Sequence, residues 1–519
     1  MFIGQQLPHA NGLSRFLPGG ASKMSSVLDE VLRYIDARYV DSVDTEALKA
    51  GALNHLLDQL DPHSVYITPD ELQAVEDDMS GGFEGIGVEF IMLDDTIQVV
   101  TPLSGGPSEA AGILAGDKII SIADTVVAGV KIDNGQIFRK LRGEKGSKVK
   151  ITVLRGQETT PREFIITRDI IPVKSVEVAY MLDERTGYVK INRFSARTYT
   201  EFMEAIGPFA EGKGMQNLVL DLRGNPGGYL NEATDLLSQF FPDGKLLVYT
   251  QGRNEERHDY KSNGRARFNI QNISVLIDEG SASASEIVAG AIQDHDRGWI
   301  IGRRSFGKGL VQEQYPLRDG GALRLTVSRY YTPSGRSIQR DYKNDSDYGH
   351  EAERRLQDGE LSGTTQARRA DSTQYYTGLG RIVYGAGGIS PDVFIPLDTS
   401  FSNNTFFELR QHLPQFTARW MENRERATLP ADLASFVKNF TVSDELFEEF
   451  LVYGAKQGGK RDDAQLARSR RELKHQLKAR IAKILFQDIG LYTVLNDDDP
   501  AVEKAIAVMR SGEPVAGKR

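Results

Sequence analysis

The chain of 519 residues contains no cysteine. That excludes a disulfide framework, a cysteine nucleophile, cysteine-ligated zinc and iron–sulfur clusters. It does not fix the compartment, because an exported protein can lack disulfides. Basic residues are also short, with 63 Lys and Arg against 72 Asp and Glu and a net charge of −9. Nucleic acid is therefore not the expected partner, since phosphate binding needs a cationic surplus. No run of about 18 apolar residues occurs, so no membrane-spanning helix is expected. The opening Met1–Leu7 lacks the basic region and long apolar core of a complete signal peptide. Histidine is scarce, eight residues in all, and the two nearest the motifs below, His258 and His295, sit in charged surroundings. A Ser-His-Asp triad, paired-carboxylate hydrolysis, a metal site and a cofactor are all left without a suitable cluster.

What is present is globular. Hydrophobic residues make up 40% and charged residues 26%, and at about 100–200 residues per domain the length suits roughly three or four domains. Residues 1–79 read as a helical region: Val27, Leu28, Val31, Leu32 and Ile35, then Leu48, Leu53, Leu56, Leu57 and Leu60, recur at helical spacing. The second run stops at Asp61-Pro62, and His63 after it reads as a turn residue at a domain joint. From residue 80 to 168 short alternating strands surround two helix patterns, near Ser108 and at Asn134–Leu141, as in a compact β-rich module. Between 169 and 398 apolar strands at Tyr188–Ile191, Leu218–Leu222, Val275–Ile277 and Trp299–Ile301 alternate with helices. That alternation predicts βαβ units and a mostly parallel sheet. Residues 340–376 interrupt it as a polar surface excursion, and 399–519 form a helical C-terminal domain. The nine Lys or Arg against three Asp or Glu at 456–480 read as a solvated helix face.

Three segments converge on one edge of the predicted sheet. In Ile277-Asp278-Glu279-Gly280-Ser281-Ala282-Ser283-Ala284-Ser285-Glu286 a buried strand ends and small residues open a helix. Its free N–H groups can hold a developing oxyanion, although the serines serve equally well as helix caps. One strand later comes Gly302-Arg303-Arg304-Ser305-Phe306-Gly307-Lys308-Gly309. Parallel strands joined by one crossover usually lie side by side, which places Lys308 beside Ser283. The loop begins like a phosphate-binding loop, but Gly309 stands where that motif needs Ser or Thr. The third segment, Asp221-Leu222-Arg223-Gly224-Asn225-Pro226-Gly227-Gly228, ends another strand with glycines that allow close backbone approach.

These residues closely resemble the C-terminal processing peptidases, or tail-specific proteases, over roughly residues 25–398. The carrying motif is Ser-Ala-Ser-Ala-Ser-Glu with the Lys of Phe-Gly-Lys-Gly 25 residues after its middle serine and Gln four further on. Asp61-Pro62-His63-Ser64 and Gly387-Gly388-Ile389-Ser390-Pro391-Asp392 resemble the family as well. The resemblance implies a multidomain α/β fold: a mostly parallel, crotonase-like protease core with an inserted PDZ domain and helical terminal regions. It implies Ser283 as nucleophile, Lys308 as general base, Gln312 orienting the lysine, and an oxyanion hole from Ala284 and Gly227. Phe83-Glu84-Gly85-Ile86-Gly87-Val88 resembles the PDZ loop whose amides receive a terminal carboxylate, so Gly85, Ile86, Gly87 and Val88 are the expected tail-binding residues. The implied partners are proteins or peptides with apolar C-termini, cut through an acyl-enzyme without a cofactor. The helices beyond 400 lie outside the family core and are a candidate surface for a homodimer or an adaptor. Residence in the bacterial periplasm or cell envelope follows from the resemblance, with any membrane link supplied by an N-terminal signal or anchor.

Overall fold

The computed structural model describes residues 27–93, 95–103, 105–114, 116–156, 158–212, 214–342, 348–365, 373–422 and 429–512. The opening Met1–Leu7 lies outside them. A six-stranded sheet forms the centre, in the order Val176–Met181, Thr186–Ile191, Asn217–Asp221, Asn272–Ile277, Trp299–Gly302, Val393–Phe394. The first pair is antiparallel and the others parallel. The strands Asn217–Asp221 and Asn272–Ile277 are buried along almost their whole length, with apolar runs at Leu218–Leu220 and Val275–Ile277, because both faces are covered. On one face pack the helices Thr198–Gly212, Leu230–Leu237 and Ala284–Asp294. On the other, Val219, Leu276 and Ile301 meet Ala501, Val502, Ala505 and Met509 of the helix Pro500–Ser511. That helix, expected as part of the C-terminal helical domain, thus completes the core around the central sheet. The rest of the helical region, Asn404–Asn496, encloses a second core around Phe416, Phe436, Phe447 and Leu477.

Residues 82–172 form the β-rich module. Its sheet runs Val88–Leu93, Thr96–Pro102, Lys118–Ile122, Lys148–Leu154, Arg162–Thr167, with helices Pro107–Ala111 and Asn134–Leu141. Gly82–Gly85 pairs with Asp169–Pro172 and closes the neck where the module leaves and rejoins the chain.

Three expectations change. The N-terminal region is not helical throughout: beside the helices Val27–Arg38, Thr45–Asp58 and Pro69–Ser80, Val65–Ile67 is a strand paired with Ala322–Tyr331 of a second sheet. Three residues carry no period, and their partner lies more than 250 positions away. The described part of 340–376 is mostly exposed, as a surface excursion should be, but several of its charged residues are buried. Glu351, Arg355 and Glu360 are buried, and Arg304 pairs with Glu360 at 2.8 Å while Arg355 donates to the Arg304 carbonyl at 2.7 Å. These buried charges are spent against the loop that carries Lys308. The basic run at 456–480 is likewise partly spent: Arg470 and Lys474 reach Asp444 at 2.9 and 2.6 Å, and Lys478 donates to the Val437 carbonyl.

Candidate active site

Ser283 stands where the strand Asn272–Ile277 gives way to the helix Ala284–Asp294. Its φ of 57° and ψ of −112° lie where a residue with a side chain is strained, at a cost of about 1–3 kcal/mol. The neighbouring serines hold the turn in place. Ser281 Oγ donates to the Leu222 carbonyl at 2.8 Å and Ser285 Oγ to the Asn225 carbonyl at 3.0 Å. Tyr330 OH donates to the Ser283 carbonyl at 3.1 Å. Ser283 Oγ alone of the three is buried with no hydrogen-bond partner among the described residues. A buried hydroxyl left unmatched is costly, and here it is the one the turn projects at the head of a helix.

Lys308 is half-buried on the adjoining loop. Burial, and then the charge of Arg324, lower its amine to about 8. The link between the two segments is Glu286, fully buried in the first turn of the Ser283 helix. One carboxylate oxygen accepts from the Ser283 N–H and the Lys308 N–H, both at 2.8 Å. The other accepts from Gly307 N–H at 2.7 Å and Ser305 Oγ at 2.5 Å. Burial raises this carboxyl to about 7 against the pull of those four donors. Glu286 was visible only as the last letter of a motif. The signal for its role is its place three residues after a helix-capping serine, where a glutamate reaches back to main-chain N–H groups.

The Asp221–Gly228 segment lies against Ser283. A Cβ on Gly227 would sit 2.7 Å from Ser283 Cβ and 2.8 Å from the Ala284 nitrogen. The Ala284 N–H, at the first helical position, has no hydrogen-bond partner among the described residues. The Gly227 N–H donates to Asn225 Oδ1 at 2.8 Å, whereas the neighbouring Gly228 N–H is unpartnered among the described residues. Asn225 is fully buried and also donates to the Ile191 carbonyl, fastening the turn to the sheet. Gly227→Ala is expected to lower kcat at least about 100-fold, the scale of losing one oxyanion donor. A rate within a few-fold of wild type would show that this backbone does not line the reaction centre.

Behind the turn, Asp221 accepts from Tyr188 OH at 2.7 Å and from Arg223 Nη2 at 2.6 Å. Burial works against its charge, but Arg223 and Lys190 hold its carboxyl well below the usual range. Arg223 also reaches Asp499, the cap of the helix Pro500–Ser511, at 2.7 Å. Gln312 is buried on the strand Leu310–Pro316 and its Nε2 donates to Thr326 Oγ1 at 3.2 Å. Thr326 in turn donates to Asp61 Oδ1 at 3.1 Å. His63 meets Tyr348 edge-on at 5.5 Å, and its Nε2 lies 3.1 Å from Tyr348 OH. Burial and the charges of Lys308 and Arg340 push its pKa down to about 3, so it is neutral. The Asp61–Ser64 turn therefore belongs to the wall of the site. His295, at the far end of the Ser283 helix, bonds the Leu246 carbonyl and takes no part.

In the β-rich module, Gly85 ends the neck strand and Gly87 takes a φ of 71°. The Ile86 carbonyl accepts from Ser108 N–H and Oγ, and the Gly87 carbonyl from Leu103 N–H at 3.0 Å. With both carbonyls fixed, the Ile86 and Gly87 N–H groups are left without partners among the described residues. Next along the chain, Val88 lines a cavity of about 650 Å³ together with Phe90, Met92, Leu103 and Phe138.

Comparison with known proteins is consistent across the chain. Residues 185–347 match the model of peptidase family S41, residues 85–163 a PDZ domain, and residues 409–487 a family of unknown function, DUF8443. The carboxy-terminal-processing protease of Bartonella bacilliformis is 39% identical over 321 residues, covering 60% of this chain and 71% of that protein. The carboxy-terminal processing protease CtpB of Bacillus subtilis is 35% identical over 321 residues, covering 61% of this chain and 66% of that protein. Among solved structures, the photosystem II D1 C-terminal processing protease aligns at 28% identity with a TM-score of 0.34, over 60% of this chain and 90% of that one. The PDZ domain of a Vibrio cholerae carboxy-terminal protease, solved with a peptide, aligns at 31% identity and a TM-score of 0.16, over 17% of this chain and 97% of that one.

Proposed function

Because the chain belongs to the C-terminal processing proteases of peptidase family S41, and is a serine-type peptidase with a PDZ domain, we propose that it cuts by a Ser283–Lys308 dyad through an acyl-enzyme. The observation that carries this reading is Ser283 Oγ: buried, unbonded and held at a strained turn whose other serines are consumed by main-chain carbonyls. A serine hydroxyl is a weak nucleophile until a base takes its proton. A lysine amine at its ordinary value near 10.4 stays charged and cannot serve, whereas one lowered to about 8 supplies free amine near neutrality. Lys308 accepts the Ser283 proton as Oγ adds to the scissile carbonyl, then returns it to the leaving amine. Water, deprotonated by the same amine, hydrolyses the ester. Gln312 orients the lysine.

The oxyanion is received by the Ala284 N–H and the Gly227 backbone beside it. In this structure the Gly227 N–H is held by Asn225, so that peptide exchanges partners when the oxyanion forms. The PDZ domain selects the substrate. The Ile86 and Gly87 N–H groups take the terminal carboxylate, Gly85 and Val88 flank them, and the apolar cavity takes an apolar last side chain. Residence in the cell envelope belongs to the same proposal and rests on the family resemblance.

Two measurements test the chemistry. A fluorophosphonate is expected to label one residue, found as a Ser283 adduct by peptide mass spectrometry; labelling elsewhere with Ser283 unmodified overturns the assignment. The second is a pH profile. Lys308 is protonated below about 8 and free above it, so kcat/KM rises as pH rises through about 8. Glu286 loses its charge below about 7 and with it part of its hold on both segments, steepening the fall on the acid side. A profile flat from pH 6 to 9 contradicts a lysine base.

A further inference from the structure

The PDZ domain's tail groove is not bounded by the PDZ domain alone. Among the described residues the strand Val88–Leu93 is an edge strand, paired with Thr96–Pro102 on one side only, and its other side can take an added strand. At the end away from the Ile86–Gly87 loop, the helical region closes the groove: Gln411, Pro414 and Gln415 line the same cavity as Phe90, Met92 and Phe138. Gln415 Nε2 lies 3.5 Å from the Met92 carbonyl, a main-chain acceptor of that edge strand. The contact is braced. Lys483 of the helix Asp463–Asn496 pairs with Glu89 at 3.3 Å, and Glu422 meets Gln98 and, at 3.8 Å, Lys118. Leu413, Phe416, Thr417 and Trp420 of the helix Leu413–Glu422 are buried in its own domain, which leaves Pro414 and Gln415 toward the PDZ domain.

We infer that the helix Leu413–Glu422 is the outer stop of the tail groove and a specificity element for the residue about four or five positions from the substrate's C-terminus. This rests on the proposal that the PDZ domain captures a chain terminus. The argument is one of length. A strand advances about 3.3 Å per residue, so the stretch from Val88 to Met92 accommodates roughly four substrate residues, about 13 Å. A tail anchored by its carboxylate at Ile86–Gly87 and running along this edge then reaches Gln415, which competes for the Met92 carbonyl. Pairing ends there and the substrate turns off the sheet between the two domains. The partner is an extended peptide with a free carboxylate, apolar at its last residue, whose fourth or fifth residue from the end packs on Pro414 and the Gln411 and Gln415 amides.

The test uses the full chain carrying Ser283→Ala, so that bound peptide is not cut. Ten-residue peptides with an apolar C-terminus carry a benzophenone side chain at the second or the fifth position from the end, and crosslinks are mapped by mass spectrometry. The second-position probe is expected to mark the helix Asn134–Leu141 and the fifth-position probe residues 411–415. Gln411→Ala with Gln415→Ala is expected to weaken the ten-residue peptide roughly three- to ten-fold, the range for one or two hydrogen bonds. It leaves a tetrapeptide's affinity unchanged. Crosslinks from the fifth position confined to residues 80–168, or equal weakening of both peptides, overturn the stop while leaving tail capture standing. An amidated peptide that binds as tightly as the free acid overturns tail capture itself, and the stop with it.

Discussion

Lys308→Ala and Ser283→Ala are each expected to lower kcat by at least about 10⁴-fold on an unstructured protein with an apolar C-terminus, the scale seen when a member of a nucleophile–base pair is lost. Stability is expected to hold, with Tm within about 3 °C of wild type. The reason is local: Ser283 Oγ makes no hydrogen bond, so its removal strands no partner, and the Glu286 contacts run to main-chain N–H groups that alanine retains. Lys308→Arg separates charge from basicity. A guanidinium keeps the cation but does not give up its proton, so this variant is expected to be as inactive as Lys308→Ala. Rates from progress curves beside thermal melts decide the matter. Cleavage by Ser283→Ala at more than about 1% of the wild-type rate refutes the nucleophile, and an active Lys308→Arg refutes the base.

Glu286→Gln has the second large effect, and here stability and rate fall together. The carboxylate accepts from Ser283, Lys308, Gly307 and Ser305 at 2.5–2.8 Å in a fully buried position. An amide of the same shape keeps one acceptor and turns an NH₂ toward N–H donors. Each buried donor left unmatched costs about 1–3 kcal/mol, so a total near 3–5 kcal/mol is expected. At about 2–4 °C per kcal/mol for a domain of this size, Tm falls by roughly 10 °C. Because the lost bonds connect the segments that carry Ser283 and Lys308, kcat is expected to fall as well, by about 100-fold or more, even at temperatures where the variant is folded. Glu286→Asp keeps the charge but not the reach and is expected to fall between the two. A Glu286→Gln protein that melts with wild type would show that the carboxylate does not hold the segments together.

Much of this was legible in the sequence because it is written locally. The strands Asn217–Asp221 and Asn272–Ile277 are short apolar runs ended by turn residues, which doubly covered parallel strands require. The crossover rule placed Lys308 beside the Ser283 turn, and the pairing of Asn272–Ile277 with Trp299–Gly302 is parallel as that rule requires. What was hidden is non-local. Val65–Ile67 is a strand only because Ala322–Tyr331 offers it an edge. Glu351 and Glu360 read as part of a polar surface stretch until Arg304, some 50 positions earlier, is seen paired with both. Glu286 serves main-chain groups, which leave no trace in side-chain identity. The hairpin Leu310–Pro316 and Ala322–Tyr331, which carries Gln312 and Thr326, does have a signal: Arg318-Asp319-Gly320-Gly321 is a turn between β-rich runs.

The Glu286 contacts have a practical meaning for retooling the enzyme. At positions 283 and 308 the carboxylate recognises N–H groups and makes no contact with the side chains. The chemistry is thereby separable from the frame that holds it. Cysteine at 283 or histidine at 308 keeps the N–H and is accommodated by the same anchor, so a thiol or imidazole can be installed without redesigning the turn. Proline, which has no N–H to give, is barred at both, whereas Gly307, at a φ of 90° with the Gly388 nitrogen 3.0 Å from where a Cβ would sit, has to stay glycine.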